Sequence, residues 1–596
     1  MRIAALVKQI PKFEEMELGP DGRLRRDGID LELNPYCRRA VSKAVELAAD
    51  RPGSEVVVFT LGPPPAEDSL REAIAWGLDR DVNICGVHMT DRVFAGSDTL
   101  ATARALAAAL TREGPFDLVL TGRNSVDADT GQVGPELAEL LDLPFLTGVR
   151  HLEIKGTRVE ARCEHDDGWM QAEVELPAVL SCAERLCEPA KVDPPERAAV
   201  PSERIRRLTA ADLGPGPWGA DASPTWVGPV KVMAVSRARM SRPDAPLAEQ
   251  VRAAVHMLHE RGALRQGASD AHTTTVPSRR AGTSQPAIAV VAEPDRSHAT
   301  RELLGVAARL AAEIDGHVVA ITVEDPKPHV LGAWGTDAIV HLSGPNVEED
   351  VALAVTDWAE AQRPWAIVTG STAWGREVAA RVAARLGAGL TGDAVDLEVG
   401  DGRLIAWKPA FGGQLIAAIG ATSAVQMATV RAGMITAPAP RMNASEPDVR
   451  TIAMATLGRV RVLARTRDDD LDALAEAATV VGVGRGVPPN EYGTLDPLLA
   501  MLDAELAATR KVTDEGWLPR SRQVGITGRS IAPRLFVSIG ASGKFNHAVG
   551  IRAARTVLAI NNDPTAPIFD AADAGIVGDW HVVLPLLVAE LASTAT

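Results

Sequence analysis

Apolar runs and helical stretches alternate along the first part of the chain. Runs rich in β-branched residues occur at Ile3–Val7, Glu55–Thr60 and Asp117–Thr121, and helical apolar spacing occurs at 68–76 and 135–141. Short runs of this kind predict buried strands, and the longer stretches predict helices. Because strands that alternate with helices are typical of a doubly wound parallel sheet, we predict an α/β fold here.

A polar segment interrupts this pattern between residues 265 and 285. It is rich in Ser, Thr, Gly and Ala and has almost no large apolar side chain, which is typical of a linker. A helical pattern, Val251–Leu264, precedes it, and a strand-like run, Ala287–Ala292, follows it. We therefore predict a first unit over residues 1–264, a linker over 265–285 and a second unit over 286–436.

The two units resemble each other in sequence. Phe116–Gly122 corresponds to Pro364–Gly370, and Leu137–Val159 corresponds to Val382–Leu404, with a shared Leu-Thr-Gly step. Between these blocks the first unit has the long loop SVDADTGQVGP (Ser125–Pro135), where the second has only STAWGRE. Open α/β sheets bind ligands in the loops that follow their strands. We therefore interpret the units as homologous domains of which only the first kept a ligand loop.

The chain beyond residue 450 has no counterpart in the first unit. Strand-like runs occur at Thr479–Gly482, Leu535–Ile539 and Thr556–Ile560, and helical stretches separate them. This pattern predicts a third α/β domain over residues 451–596. The expected fold class is therefore α/β, with two homologous doubly wound parallel-sheet domains and a third α/β domain.

Composition and charge exclude several classes of protein. A chain of 596 residues is too long for one hydrophobic core, and 46% hydrophobic with 23% charged residues is typical of a folded globular protein. The net charge of −16 disfavours a nucleic-acid partner. The run Ile3–Val7 is too short for a signal peptide, and no run reaches the length of a membrane span. We therefore expect a cytoplasmic protein that is not embedded in a membrane.

The cysteines predict neither a disulfide scaffold nor a metal site. All five lie in the first third of the chain, and no two of them form a Cys-x-x-Cys pair. We expect thiols without a special role and no bound metal.

Three glycine-rich clusters in the third domain follow predicted strands. They are VGVGRG (Val481–Gly486), QVGITG (Gln523–Gly528) and IGASGKFNH (Ile539–His547). Backbone N–H groups at such turns can hold phosphate, although none of the clusters has the spacing of a dinucleotide-binding or P-loop motif. Each alone is more often a simple turn, but together with Asn561–Phe569 and Asp579 they favour a nucleotide pocket built from several strand ends.

These clusters and the INNDPTAPIFDAADAGIVGD run (Ile560–Asp579) resemble the FAD-binding domain of the electron transfer flavoprotein α subunit. The upstream stretch Thr391–Met434 resembles the same subunit. The resemblance implies that the third domain holds a redox-active FAD and swivels on a base formed by the first two units. The Pro-rich polar segment 437–450 is then the expected hinge.

Residue by residue, the resemblance implies a set of FAD contacts. Arg510 and a donor from His547 would supply positive potential at the flavin ring, and Thr527 would hydrogen-bond its N5. No catalytic side chain is implied, because the flavin itself is the redox group. The full set is Arg485, Thr509, Arg510, Gln523, Val524, Gly525, Thr527, Gly528, Ser542, Asn546, His547, Asn561 and Asp579.

The first unit resembles the β subunit of the same family in LVKQIP, NPYC, LGP and DADTGQVGP. The resemblance covers nearly the whole chain outside the linker, in β-then-α order, and so implies a fusion of the two subunits. In the family the β chain holds a buried AMP, and in bifurcating members a second FAD. The contacts implied for that nucleotide are Leu6, Asn34, Pro35, Tyr36, Cys37, Asp127, Asp129, Thr130, Gln132, Val133 and Gly134.

The partner loop near residues 190–207 departs from the family. Pro194 stands where β subunits carry an anchoring Leu, and the lysine run that docks on acyl-CoA dehydrogenases is missing. Ile526 also replaces a family Gln beside the expected flavin. We therefore expect a dedicated flavin-dependent dehydrogenase as partner and not a standard acyl-CoA dehydrogenase.

Three functions follow as hypotheses. The leading one is an electron carrier, not a substrate-converting enzyme, which takes electrons from a flavin-dependent dehydrogenase of fatty acid or amino acid oxidation and passes them to a membrane quinone oxidoreductase. The first alternative is a bifurcating type, whose second FAD oxidises NADH. The other is a non-redox protein that binds an adenine nucleotide.

Overall fold

The computed structural model describes residues 1–12, 30–166, 168–232, 237–265, 275–277, 286–344, 347–410, 415–435, 438–442, 444–467, 471–525 and 528–594. Its strands form large parallel or mixed sheets flanked by helices, which confirms the predicted α/β class. The predicted runs Ala287–Ala292 and Leu535–Ile539 coincide with observed strands residue for residue.

The chain up to residue 224 forms most of the first unit. In chain order its elements are β1 Arg2–Leu6, β2 Gln9–Pro11, β3 Leu31–Leu33, α1 Pro35–Ala49, β4 Glu55–Leu61, α2 Glu67–Leu78, β5 Asn83–Met89, α3 Thr99–Glu113, β6 Leu118–Gly122, α4 Val133–Leu140, β7 Phe145–Lys155, β8 Arg158–Glu164, β9 Gly168–Glu175, β10 Ala178–Cys182, α5 Pro194–Ala198, β11 Ile205–Leu208 and α6 Ala210–Leu213.

The elements that follow lead through the second unit. They are β12 Thr225–Val232, β13 Met240–Ser241, α7 Leu247–Glu260, β14 Ala287–Ala292, α8 Ser297–Glu313, β15 His317–Thr322, α9 Pro328–Ala333, β16 Ala338–Ser343, α10 Glu348–Gln362, β17 Ala366–Gly370, α11 Ala373–Leu386, β18 Gly389–Ala394, β19 Asp396–Gly400, β20 Arg403–Ala410, β21 Leu415–Ala421, β22 Gln426–Val430, β23 Asp448–Ala453 and β24 Val460–Arg467.

The last part of the chain forms the third unit. Its elements are α12 Leu471–Glu476, β25 Thr479–Val483, α13 Asp496–Leu502, β26 Ala504–Ala508, α14 Arg510–Asp514, β27 Leu535–Ile539, α15 Phe545–Ala548, β28 Thr556–Asn561, β29 Ala574–Val577 and α16 Trp580–Thr594.

The sheets of the first two units share one topology. The strand order β11-β5-β4-β1-β6-β10-β7 in the first sheet matches β23-β16-β15-β14-β17-β22-β18 in the second. In each sheet the first strand lies between neighbours reached in opposite directions, so the ligand crevice is expected beside β1 and β14. The shared strand order therefore supports a duplication of one domain.

The first sheet has a hydrophobic core on each face. Neighbouring residues of β4 alternate between these two cores, with Val58 on one face and Phe59 on the other.

The two units exchange strands. The hairpin β7–β8–β9 of the first unit is extended by β24, which pairs antiparallel with β9. In the same way β12 pairs antiparallel with β21 and completes the β19–β20–β21 sheet of the second unit. Each unit thus adds an edge strand to a sheet of the other.

The third sheet includes a segment that precedes the predicted linker. Its order is β13-β29-β28-β27-β25-β26, and α7 packs against α16 through Val251, Val255 and Leu258. The buried carboxylate of Asp573 accepts a bond from Arg237 at 3.0 Å. The sequence pattern places β12 and α7 in the first unit. The structure differs because β12 pairs with β21 and the apolar face of α7 packs in the core of the third unit.

The predicted hinge over 437–450 also differs from the structure. This stretch leads into β23, which pairs with β16 at the edge of the second sheet, and the chain enters the third unit only after β24. Most of the predicted linker lies outside the described residues. Its described part, 275–277, contains Val276, whose amide donates to the Ala439 carbonyl at 2.9 Å and whose side chain is buried in the second unit.

Candidate functional site

The predicted nucleotide loop follows β6, directly beside β1. Asn34 holds this loop against the start of α1, because its amide donates to the Asn124 carbonyl at 2.9 Å and its side-chain oxygen accepts from the Val126 amide at 3.3 Å. A Cβ at Gly122 would lie 2.9 Å from the Cys37 nitrogen, so only glycine lets α1 approach the end of β6 this closely. Two helix starts, those of α1 and α4, therefore converge on the loop.

The two loop carboxylates are held differently. Asp127 pairs with the Lys8 ammonium at 2.8 Å, and this pair lowers the pKa of Asp127 although burial opposes the shift. Asp129 has a positive φ of 47° and accepts from the Asn124 amide. One carboxylate is thus neutralised by a lysine of its own unit, whereas the other is held by an amide of its own loop.

The remaining residues predicted at this loop line up with it. Leu6 is buried at the end of β1, and Pro35 and Tyr36 begin α1. Burial raises the pKa of the Cys37 thiol, whose sulfur accepts from the Asn34 amide. Thr130, Gln132, Val133 and Gly134 form the end of the loop and the first turn of α4.

The second unit supplies part of the loop's surroundings. The Gln132 amide lies 3.4 Å from the Leu390 carbonyl, and Lys408 donates to the Gly392 carbonyl at 2.9 Å. A Cβ at Gly131 would lie 3.9 Å from the Arg376 side chain. Lys408 and Arg376 are not selected by sequence reasoning, because more than 200 residues separate them from the loop and no local pattern marks them.

The equivalent position in the second unit is filled by a carboxylate of the first. Asp166 accepts from the Ala373 amide at the start of α11 at 2.5 Å, and Arg123 lies 3.8 Å away. Burial alone would raise the pKa of Asp166, but Arg123 and the Ala373 amide lower it to about 2. The short loop of the second unit is predicted to hold no ligand. In the structure, the Asp166 carboxylate of the first unit occupies the start of α11, which follows this loop.

The glycine clusters of the third unit meet at the carboxyl ends of its strands. The Gly484 amide donates to the Ile539 carbonyl at 2.9 Å, and the Gly486 amide donates to the Gly540 carbonyl at 3.2 Å. A Cβ at Gly484 would collide with Gly540, and one at Gly528 would collide with the Gln523 carbonyl. Only glycine lets these loops pack this closely, and the glycine cradle that they form lies at the strand ends, where open α/β sheets bind ligands.

His547 lies under this cradle with an unusual hydrogen-bond pattern. Its Nδ1 donates to the Val524 carbonyl at 3.0 Å, and its buried Nε2 has no hydrogen-bond partner among the described residues. Burial lowers the pKa of His547, so the ring is neutral and its Nε2 is an acceptor. The donor role expected from the sequence therefore requires a protonated ring.

Arg510 lies where the third unit meets the first. It pairs with Glu184 at 3.3 Å and with Asp514 at 3.2 Å, and Thr509 precedes it as the N-cap residue of α14. Burial opposes its charge, but the two carboxylates raise the pKa of Arg510. Tyr36, predicted at the base nucleotide, lines the same cavity as Asp129 of its own unit and Gly525 of the third unit.

The other predicted flavin residues are spread over the same edge of the sheet. Gln523 is buried and accepts from the Thr513 hydroxyl at 2.7 Å, and Asn561 donates to the Ala541 carbonyl at 2.9 Å. Arg485 and Ser542 are exposed, and exposed Asp579 accepts from the His581 amide at 3.0 Å. Thr527 and the Asn546 side chain lie outside the described residues, as does Ile526.

One cavity lies where the three units meet. It is lined by Tyr36 and the 123–129 loop of the first unit, by Arg376, Asp393 and Arg431 of the second, and by Gly525 and residues 528–532 of the third. Arg431 donates to the Ser530 hydroxyl at 2.6 Å and thereby joins the second and third units. The predicted nucleotide loop and the predicted flavin loop therefore open onto one space.

Comparison with known families explains this arrangement. The model of the electron transfer flavoprotein domain matches residues 21–212 and again 288–457, which together make up more than half of the chain. The chain belongs to the electron transfer flavoprotein family. A second model, that of the electron transfer flavoprotein FAD-binding domain, matches residues 473–552. The third unit of this flavoprotein is therefore an FAD-binding domain, and the glycine cradle and buried histidine of the structure fit that cofactor.

Curated relatives match about half of this electron transfer flavoprotein. Protein FixB of Clostridium saccharobutylicum is 34% identical over 304 residues, which are 48% of this chain and 90% of FixB. The electron transfer flavoprotein subunit alpha of Thermoanaerobacterium thermosaccharolyticum is 32% identical over 49% of this chain and 92% of its own. Caffeyl-CoA reductase-Etf complex subunit CarD of Acetobacterium woodii is 35% identical over 38% of this chain and 86% of its own.

Two features are absent from the described residues. Their helices include none that is both long and apolar enough to cross a bilayer. Among the same residues, no group of His, Cys, Asp and Glu side chains is arranged to hold a metal ion.

Proposed function

We propose that this chain is a single-chain electron transfer flavoprotein, with a β-type half followed by an α-type half. It carries electrons on one FAD from a flavin-dependent dehydrogenase to a quinone oxidoreductase or a similar acceptor. The observation that carries the proposal is the repeat of one family domain in a single chain, followed by the FAD-binding domain. The strand exchange between β24 and β9 and between β12 and β21 supports it, because the halves are built to interlock.

The residues of the third unit have distinct roles in this proposal. FAD, when bound, takes up and releases the electrons. The turns that contain Gly484, Gly486 and Gly525 lie at the strand ends where its phosphates would be held, and Arg510 supplies positive charge beside the ring. His547 offers a buried acceptor at Nε2, and Tyr36 of the first unit closes the side that faces the base.

The base site holds AMP in the leading form of the proposal. The neutralised Asp127 and the helix start of α4 suit a single phosphate, and Asp129 suits a ribose. A second FAD at this site, with oxidation of NADH, is the second candidate. It is favoured by the similarity to CarD and to the lactate dehydrogenase (NAD(+),ferredoxin) subunit LctC of Acetobacterium woodii, which is 34% identical over 48% of this chain.

Counting the nucleotides released from denatured protein tests these proposals. One FAD and one AMP per chain support the carrier, whereas two FAD without AMP and bleaching of the flavin by NADH alone support the second candidate. A Gly528→Val variant separates the two nucleotide sites, because its side chain would collide with the Gln523 carbonyl in the third unit only. It should lose FAD and keep the base nucleotide. Absence of any reducible flavin would leave only a non-redox nucleotide-binding protein.

The partner loop supports a dedicated dehydrogenase. Helix α5 is held on α2 by Arg197, which lies 3.2 Å from Asp68 and 3.1 Å from Glu72, and it exposes Pro194 without a large apolar side chain. A docking anchor of the kind found in β subunits is therefore missing at this position. Rapid reduction of the bound flavin by a generic acyl-CoA dehydrogenase would contradict this part of the proposal.

A further inference from the structure

A buried carboxyl group lies directly behind the base nucleotide loop. Glu136 belongs to the first turn of α4, and its Oε1 is 3.0 Å from the Thr99 hydroxyl of α3. The same hydroxyl is 2.9 Å from the side-chain oxygen of Gln132, the last loop residue before α4. Glu136 and Gln132 are each about 1% exposed, so bulk solvent does not reach this network.

Counting protons fixes the direction of these hydrogen bonds. A threonine hydroxyl has one proton to donate, yet it lies between two oxygens. The Gln132 oxygen is only an acceptor, because its amide nitrogen faces the Leu390 carbonyl at 3.4 Å. Thr99 therefore donates to Gln132, and the proton between Thr99 and Glu136 belongs to Glu136. The chain of bonds runs from Glu136 through Thr99 to Gln132.

The surroundings of Glu136 favour the protonated acid. Burial, with a smaller contribution from the Asp98 carboxylate, raises the pKa of Glu136 to about 8, although Thr99 and Arg104 of α3 oppose the shift. On the neighbouring helix α11, Arg381 and Arg385 are paired with Glu139, one turn further along α4. The second oxygen of Glu136 has no hydrogen-bond partner among the described residues.

We propose that Glu136 is a positioning residue for the base nucleotide. As a neutral acid, it holds Gln132 and the start of α4 in place. The inference rests on the proposed function, because it assumes a phosphate at that helix start. Loss of the proton would reverse the Thr99 bond and free the Gln132 side chain. It would also place a negative charge within one turn of the phosphate.

The test measures how tightly the purified protein, stripped and reloaded with AMP, holds this nucleotide between about pH 7, where the AMP phosphate is doubly ionised, and about pH 10. The wild type should bind AMP equally well up to about pH 8, and its Kd should rise by up to about tenfold per pH unit above that value. Glu136→Gln keeps a neutral donor and should bind AMP without this pH dependence. Thr99→Val should weaken AMP binding at every pH. Glu249→Gln, an exposed first-turn glutamate on α7, is the matched control.

A pH-independent Kd in the wild type, or the same pH profile in Glu136→Gln, would overturn the inference. If Glu136→Gln does not fold, the wild-type profile together with Thr99→Val decides the question. Failure of the proposed function appears differently: wild-type protein that binds no AMP at neutral pH would overturn the base site itself. If the released nucleotide proves to be FAD, the same titration is run with FAD.

Discussion

At the scale of single residues, the candidate site combines groups that sequence reasoning finds with groups that it misses. Asn34, Asp129 and Gln132 lie in two short motifs, and a resemblance of local sequence is enough to select them. Lys408 and Asp166 reach their positions only because the second unit packs against the first. Their roles depend on pairing between distant strands, which no local pattern encodes.

The internal anion Asp166 predicts an acid-dependent stability. Its pKa is lowered in the folded chain to about 2, so its contribution is present above the unfolded value near 4 and is lost as the pH falls from about 4 to about 2. Because its side chain is 30% exposed, we expect Asp166→Asn to cost only about 1–2 kcal/mol at neutral pH.

Urea unfolding of both proteins at neutral pH and near pH 2 measures this difference. Asp401→Asn is the matched control, since Asp401 is an exposed turn residue with a positive φ of 50° that asparagine tolerates. An equal loss of stability at both pH values would show that the Asp166 charge does not matter.

Arg510 predicts a shift of the flavin potential. Replacing it with glutamine removes a positive charge beside the expected ring and should lower the FAD midpoint potential. The side chain is 39% exposed, so water screens the effect to about 1 kcal/mol, or roughly 40 mV for one electron.

Two variants separate this charge effect from a loss of packing. Glu184→Gln removes the carboxylate that faces Arg510 and should raise the potential, opposite in sign. Lys511→Gln changes an exposed neighbour and should leave the potential unchanged. Spectroelectrochemical titration of the FAD-loaded protein gives all values, and a fall in potential in both Arg510→Gln and Glu184→Gln would refute the charge argument.

At the scale of elements, the chain's strands were easier to predict than their partners. Apolar runs of β-branched residues identified β1, β14, β25 and β27, because a strand buried on both faces has no polar positions. The exposed strand β24 has alternating arginines and was not predicted, and neither was its pairing with β9. A half-exposed strand gains its stability from its neighbour, so its own sequence carries little signal.

The contact between α4 and α11 predicts a large, pH-dependent loss of stability. Arg381 is fully buried and lies 3.0 Å from Glu139 of the first unit and 3.2 Å from Glu377 of its own helix. Arg381→Met leaves these carboxylates buried without their shared cation, and we expect a loss of about 3–5 kcal/mol.

The loss of stability in Arg381→Met should be smaller near pH 5 than near pH 8, because protonation neutralises the carboxylates of Glu139 and Glu377 that have lost their cation. Chemical unfolding at the two pH values measures it. Adding Glu377→Gln to Arg381→Met should restore part of the stability, whereas no restoration by the double variant would mean that lost packing, not stranded charge, is the cause.

At the scale of the whole molecule, some segments pack with a unit other than the one that they adjoin along the chain. The sequence predicted three units and their α/β class, and these are confirmed in outline by the sheets and by the family matches. It did not show that β12 pairs with β21 or that α7 belongs with the third sheet. The apolar face of α7 becomes informative only when that sheet exists to be covered.

This interlocking predicts that the segment between residues 266 and 274 is dispensable for assembly. We expect a protein cut at a protease site inserted there to stay together. Strand β12 remains paired with β21, and Val251, Val255 and Leu258 of α7 remain in the core of the third unit. Arg237 and Arg261 still reach the buried carboxylate of Asp573, at 3.0 and 3.2 Å.

The cut and uncut forms of the same insertion variant provide the comparison. Both should elute together on gel filtration and retain equal FAD, because the surfaces that hold the halves are unchanged. The cut form should unfold at a lower temperature that rises with protein concentration, since cleavage removes only the effective concentration that the covalent link provides. Separation of the halves at micromolar concentration would show instead that the link, and not the exchanged strands and α7, holds the molecule together.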